Sequence, residues 1–61
     1  MFTLEDYILV DKMVDETIEK GDVDTFNKVT DLRIKIGAHA VGDERKKISN
    51  YIYEKIGRLS Q

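Results

Sequence analysis

The chain has 61 residues, of which 41% are hydrophobic and 36% charged, and it contains neither cysteine nor proline. A chain of this length makes one small domain, residues 1–61, and its composition is too apolar for a disordered tail. The lack of cysteine excludes disulfides and thiolate metal sites, and the net charge of −2 is unfavourable for an independent nucleic-acid binder.

The first predicted element is a helix over residues 4–20. Thr3 suits its N-cap because a threonine hydroxyl can accept a hydrogen bond from a free backbone N–H of the first turn. Asp6 stands three residues later, close to a capping-box arrangement. Gly21 after Lys20 predicts a left-handed stop at the C-terminal end. Between these signals an apolar stripe repeats at spacings of three and four: Tyr7, Val10, Val14 and Ile18.

The second predicted helix covers residues 23–41, and either Asp22 or Asp24 can cap it. Gly37 lies within its apolar stripe, so the helix either runs through this glycine to Val41 or ends at it. The stripe is formed by Phe26, Val29, Leu32, Ile36 and Ala40. A second apolar line is expected to pack against the third helix as part of the core: Val23, Ile34 and Val41.

The third predicted helix covers residues 43–59, after a turn at Gly42 and with Asp43 as N-cap. Its stripe is formed by Ile48, Ile52, Ile56 and Leu59. No stretch alternates apolar and polar residues as a strand does. Three helices joined by short loops predict an all-α, compact three-helix bundle. The alternative is a helical hairpin that pairs with a second copy in a dimeric bundle.

The first helix carries more apolar residues than one core stripe can use. The surplus residues are Phe2, Ile8, Leu9 and Met13. A helix that is apolar on much of its circumference is normally covered on several sides. A domain this small also gains little net stability from its own core. We therefore expect these four residues to form a protein interface, with a homodimer as the first expectation.

The sequence contains no set of residues suited to catalysis or to cofactor binding. One histidine, His39, would have to serve every hydroxyl, which leaves no nucleophile with a base and an orienting group. A calcium loop starting at Asp22 would place Asn27 where glycine is needed and Arg33 where glutamate is needed. We expect no enzymatic activity, no cofactor, no metal and no small-molecule substrate.

The sequence gives no sign of secretion or of membrane insertion. The first residues lack a basic segment, and the longest apolar run is only Ile8-Leu9-Val10. The lack of cysteine suits a reducing compartment. We therefore expect a cytoplasmic protein that does not contact membranes.

Residues 34–53 carry the spacing of a helix-turn-helix, which offers an alternative function. In that generic DNA-binding motif a small residue precedes the turn glycine by four positions, as Ala38 precedes Gly42, and an apolar residue comes just before the turn, as Val41 does. Apolar residues follow at six and nine positions, as Ile48 and Tyr51 do. The resemblance implies DNA contacts from the start of the third helix: Arg45, Lys46, Lys47, Ser49 and Asn50.

Charge is divided unevenly along the chain. Residues 1–24 carry eight acids and two bases, whereas residues 25–61 carry four acids and eight bases. The acidic first helix and its surplus apolar residues favour a small non-enzymatic interaction protein that binds and regulates another protein by covering its surface. Such a chain suits a regulator or inhibitor of bacterial or phage type. DNA binding is the alternative function, and a structural subunit of a larger assembly is the second alternative.

Overall fold

The computed structural model describes residues 1–59 and consists of three helices: α1 (Leu4–Lys20), α2 (Val23–His39) and α3 (Gly42–Leu59). No strand occurs within these residues. The prediction of an all-α, compact three-helix fold is confirmed in this form. The described part of the chain measures 34 × 31 × 14 Å between its Cα atoms, so the fold is flat.

Local signals fix both ends of α1 as predicted. The Thr3 hydroxyl accepts a hydrogen bond from the backbone N–H of Asp6 at 3.2 Å, and the Asp6 carboxylate accepts one from the backbone N–H of Thr3 at 3.0 Å. This reciprocal pair is a capping box, and it satisfies two backbone donors that would otherwise lack partners. Gly21 ends the helix with φ 69°, in the left-handed region that glycine adopts without steric cost.

Asp22 is the residue that caps α2. Its carboxylate accepts hydrogen bonds from the backbone N–H of Thr25 at 3.1 Å and from the Thr25 hydroxyl at 2.6 Å. The helix continues through Gly37 and ends at His39. The predicted end at Val41 is therefore two residues too late, because Ala40 leaves the helix with φ −66° and ψ 142° to start the turn toward α3.

The start of α3 differs slightly from the prediction. The helix begins at Gly42, one residue before the predicted start, and Asp43 lies in its first turn instead of preceding it. Gly42 has φ 61°, so the glycine makes the turn through a left-handed conformation.

Packing in the fold is centred on α1. Most contact between helices joins α1 to α2, a smaller amount joins α1 to α3, and α2 and α3 scarcely touch each other. The buried apolar residues come from all three helices: Tyr7, Val10, Val14, Val29, Ile36, Ala40 and Ile48. The second half of α3 adds no residue to this buried group. A cleft therefore separates the second half of α3 from α2.

The predicted core is too large in one respect. The line on α2 that was expected to pack against α3 is exposed: Val23, Ile34 and Val41. That prediction is wrong because α3 packs on α1 and leaves this side of α2 uncovered. Four residues of the predicted stripes are also exposed: Ile18 near the end of α1, Leu32 in the middle of α2, and Ile56 and Leu59 in the uncovered half of α3.

Candidate functional site

The three helices meet at one buried carboxylate. Asp11 of α1 is 3% exposed, and its Oδ1 accepts a hydrogen bond from Arg33 Nη1 of α2 at 2.6 Å. Its Oδ2 accepts hydrogen bonds from the Tyr51 hydroxyl at 2.8 Å and from Lys55 Nζ at 2.6 Å, both of α3. Asp11 thus links α2 and α3, which have almost no direct contact.

The protonation states of this cluster favour the ion pairs. Burial alone would raise the pKa of Asp11, but hydrogen bonds from Lys55, Tyr51 and Arg33 outweigh it and hold the pKa below its ordinary value. The hydrogen bond to Asp11 raises the pKa of Lys55, while burial and the same carboxylate raise the pKa of Tyr51. At neutral pH the cluster therefore holds a carboxylate, two cations and a neutral phenol.

Aromatic packing fixes the position of Tyr51 beside the carboxylate. The rings of Tyr7 and Tyr51 meet edge to face, with centroids 5.9 Å apart and planes at 77°. Gly37 of α2 also lies close to Tyr7, and a Cβ added there would stand 3.6 Å from Tyr7 Cε2. The ring of Tyr7 thus lies close to both α2 and α3.

Sequence reasoning missed this cluster, although one signal was present. Asp11 lies four residues after Tyr7 and three before Val14, on the apolar face of α1 that forms the core. A carboxylate at that position needs donors from other helices, because an unpaired buried charge is very costly. The identity of the donors was hidden, since they lie 22 to 44 positions away in the chain.

An open cleft lies above the cluster, between α2 and the second half of α3. Its volume is about 190 Å³, and its lining is formed by Tyr7, Asp11, Arg33, Tyr51, Ile52, Lys55, Ile56 and Leu59. Ligand sites for small molecules usually have about 300 to 1,000 Å³. The cleft suits one or two side chains of another chain better than a metabolite.

The predicted interface residues do not all lie on one surface. Leu9 and Met13 are one turn apart on the outer side of α1 and are 62% and 40% exposed. Phe2 precedes the helix and is also exposed, whereas Ile8 is half-buried on a different side of α1. The outer apolar face of α1 is therefore formed by Leu9 and Met13, and we use the name "outer face" for these two residues.

Acidic side chains stand at both ends of the outer face. Glu5 lies one turn before Leu9, and Glu16 lies one turn after Met13. Both are exposed, and neither forms an ion pair within residues 1–59. Lys12 and Lys20 are also exposed on α1, so both acidic and basic side chains border the outer face.

The residues predicted to contact DNA are all exposed at the start of α3: Arg45, Lys46, Lys47, Ser49 and Asn50. Lys47 Nζ is 3.1 Å from Glu44 Oε2, and Glu44 Oε1 accepts a hydrogen bond from the backbone N–H of Leu4 at 2.9 Å. The Leu4 and Lys47 hydrogen bonds hold the pKa of Glu44 below its ordinary value. Glu44 therefore joins the start of α3 to the start of α1.

The turn between α2 and α3 differs from a helix-turn-helix in its packing. Ala38 and Val41, the small and apolar residues that the motif places before its second helix, are both exposed. Ile48 is buried and Tyr51 half-buried, as the motif requires, but both belong to the contact with α1. The two helices of the suspected motif scarcely touch each other.

Other chemistry is limited in the described part of the chain. Within residues 1–59 no group of three or more histidine, aspartate or glutamate side chains could hold a metal ion. None of the three helices is long and apolar enough to cross a membrane. His39 is exposed at the end of α2. Comparison of the chain with protein-family models, with curated proteins and with solved structures finds no match.

Proposed function

We propose that the chain is a small, non-enzymatic interaction protein of the cytoplasm that associates with itself and regulates another protein by covering part of its surface. The observation that carries the proposal is the outer face, because Leu9 and Met13 expose adjacent apolar side chains on a helix whose opposite side already forms the core. Exposed apolar side chains that lie next to each other and are bordered by polar residues are typical of protein-binding surfaces.

The energetics of the outer face support binding. Full burial of a leucine or methionine side chain contributes about 1.5 to 3 kcal/mol, and Leu9 and Met13, which are 62% and 40% exposed, would each contribute a part of that gain to association. Glu5 and Glu16 favour a partner with basic residues around its apolar contact. Charges of opposite sign would accelerate encounter and exclude acidic surfaces.

The ion-pair cluster supports the proposal by holding α1 in place. Asp11 is two positions from both Leu9 and Met13, and its bonds to α2 and α3 fix the inner side of the same helical turns. A preorganised helix loses less conformational entropy on binding than a flexible one. The outer face is thus presented on a rigid support.

The experiment that tests the proposal is the double substitution Leu9→Asp/Met13→Asp. Its matched control is Val23→Asp/Val41→Asp, which introduces the same charges at two similarly exposed apolar residues elsewhere. Sedimentation measures self-association, and a pull-down from the source cell, analysed for protein and for nucleic acid, measures partner binding. Circular dichroism checks that both variants remain helical.

The proposal expects the Leu9/Met13 variant to lose self-association and partner binding while the control keeps both. If the two variants behave alike, the outer face is not the interface. A wild-type mass well above that of a dimer would favour a structural subunit of a larger assembly instead.

Duplex DNA binding is a second proposal, favoured by the common exposure of the five polar residues at the start of α3. Binding would fall with salt because it would depend on phosphate neutralisation. Arg45→Ala/Lys46→Ala/Lys47→Ala should then weaken retention on duplex DNA. Failure of the wild-type chain to retain duplex at low salt would remove this proposal.

A further inference from the structure

An acidic and a basic side chain border the same edge of the outer face. Glu5 lies four positions before Leu9 and Lys12 lies three positions after it, so each stands about one helical turn from this leucine. The seven positions between Glu5 and Lys12 correspond to nearly two turns, which places both side chains on one edge of α1. Both are exposed, and neither forms an ion pair within residues 1–59.

We infer that two copies of this chain associate through antiparallel α1 helices, with Leu9 of each copy at the twofold axis and Glu5 paired with the partner's Lys12. The inference rests on the proposed function, because it uses the outer face, and it adds the surface that this face contacts and the orientation of the two helices.

The symmetry of an antiparallel pair produces these contacts. A twofold axis perpendicular to both helices brings the same edge of each helix together and reverses the order of residues along it. The midpoint between positions 5 and 12 falls beside Leu9, so one axis produces the leucine contact and two identical Glu5–Lys12 pairs. Met13 lies toward the other edge of the outer face and packs beside the leucines there.

Charge complementarity argues for a second copy as the occupant of the outer face. Acid, leucine and base follow one another along this edge, and the partner presents base, leucine and acid at the same levels. An interface between identical copies requires this property, because each residue must complement the residue that the axis brings opposite to it. The edge around Leu9 is therefore complementary to itself.

Charge also selects the antiparallel orientation. In a parallel pair, equal positions of the two copies stand at the same level, so Glu5 would meet the partner's Glu5 and the partner's Asp6. Like charges brought together across an interface disfavour that arrangement. The antiparallel pair has an attractive contact on each side of the axis instead.

Reversal of the two charges tests the inference. Glu5→Lys leaves two basic side chains on the edge and Lys12→Glu leaves two acidic ones, so each dimer would contain two like-charge contacts. Sedimentation equilibrium at chain concentrations up to about 1 mM should give each single variant a dimer dissociation constant at least about tenfold above wild type. The double variant Glu5→Lys/Lys12→Glu restores both attractions with exchanged signs and should return to within about threefold of wild type.

A mixture of the two single variants gives an independent readout. In an equimolar mixture, the basic edge of the Glu5→Lys chain meets the acidic edge of the Lys12→Glu chain. The mixture should therefore form a heterodimer at concentrations where each variant alone is monomeric. Recovery in the mixture and in the double variant distinguishes contact between copies from loss of folding, and circular dichroism checks that every variant remains helical.

Controls with the same changes of charge come from α3. Glu54→Lys and Lys46→Glu alter exposed side chains that form no ion pair within residues 1–59. Both should keep the wild-type dissociation constant. Salt at about 1 M should reduce the difference between the single variants and wild type, since it screens exposed charges.

The outcomes separate this inference from the proposed function. A wild-type chain that stays monomeric up to about 1 mM, or charge reversals that behave like the α3 controls, would overturn the antiparallel pairing. A dimer that Leu9→Asp/Met13→Asp abolishes but the charge reversals leave intact would show that the outer faces pair in another orientation, which ends the inference and leaves the proposed function. A dimer that also survives Leu9→Asp/Met13→Asp would end both.

Discussion

Asp11 of α1 and Lys55 of α3 are joined by a contact of 2.6 Å between Oδ2 and Nζ, although 44 positions separate them in the chain. The contact holds α3 against α1 at the level where α3 begins to leave the core. Arg33 completes the arrangement from α2 at 2.6 Å. One carboxylate therefore defines the relative positions of three helices and the floor of the cleft.

Substitution of Asp11 should cost more stability than substitution of any surface acid. Asp11→Asn removes the charge that two cations share, and we expect the free energy of unfolding to fall by about 2 to 3 kcal/mol, measured by urea denaturation. The loss stays below that of a fully buried pair because Arg33 and Lys55 are partly exposed and can regain water. The matched control is Asp15→Asn, whose carboxylate is 3.6 Å from Lys55 and largely exposed. It should change stability by less than about 0.5 kcal/mol, and equal effects of the two substitutions would contradict the account.

Acid should remove the contribution of Asp11 to the free energy of unfolding. The pKa of Asp11 in the folded chain lies below its ordinary value of 3.8, so the unfolded chain binds this proton more readily. The stabilisation is complete above that ordinary value and is lost as pH falls through the lowered folded pKa. The stability difference between wild type and Asp11→Asn should be constant from about pH 5 to about pH 8 and shrink in stronger acid. A difference that grows as pH falls below 3.8 would have the wrong sign.

Two tyrosines of α3 provide a paired test of the hydrogen bond to Asp11. Tyr51→Phe keeps the ring against Tyr7 but removes the hydroxyl that donates to the carboxylate. We expect a loss of about 1.5 kcal/mol in the free energy of unfolding, as is usual for a hydrogen bond to a charged group. Tyr53→Phe, on the exposed side of the same helix, should be close to neutral. Thermal or urea unfolding of both variants measures the difference, which disappears if Tyr51 contributes only through its ring.

Substitution of two glycines by alanine should change the free energy of unfolding in opposite directions. Gly57 lies within α3 with nothing near the position of an added Cβ, so Gly57→Ala should raise the free energy of unfolding by about 0.5 to 1 kcal/mol. Gly21 has φ 69° at the end of α1, and Gly21→Ala should lower it by about 1 kcal/mol. The melting temperatures of the two variants should therefore move apart. A stabilising Gly21→Ala would contradict the left-handed cap.

Local features of the fold were predictable because they depend on neighbouring residues. Thr3, Gly21 and Asp22 act as caps through atoms within four positions of themselves, and the helix bounds follow closely from them. The position of α3 was not predictable in this way. The apolar line of Val23 and Ile34 marks a side of α2 that could be covered, but its spacing does not say which helix, or which chain, covers it.

The candidate site likewise has a part that the sequence predicts and a part that depends on contacts between helices. Periodicity along α1 was enough to identify Leu9 and Met13 as surplus to the core, and the structure places both on the outer side of α1. The prediction also grouped Leu9 and Met13 with Ile8, which lies on a different side of α1, because composition alone does not assign a side of the helix. The Asp11 cluster and the cleft arise from contacts between helices, and these depend on how the three helices assemble.

The central claim is that the outer face of α1 is an interface, and the solution mass of wild type and of Leu9→Asp/Met13→Asp tests it most directly. Sedimentation equilibrium should give a dimer for the wild-type chain, whose monomer mass is 7.1 kDa, and a folded monomer for the variant. The Val23→Asp/Val41→Asp control should remain a dimer. A Leu9/Met13 variant that keeps the wild-type mass and its partner would contradict the claim.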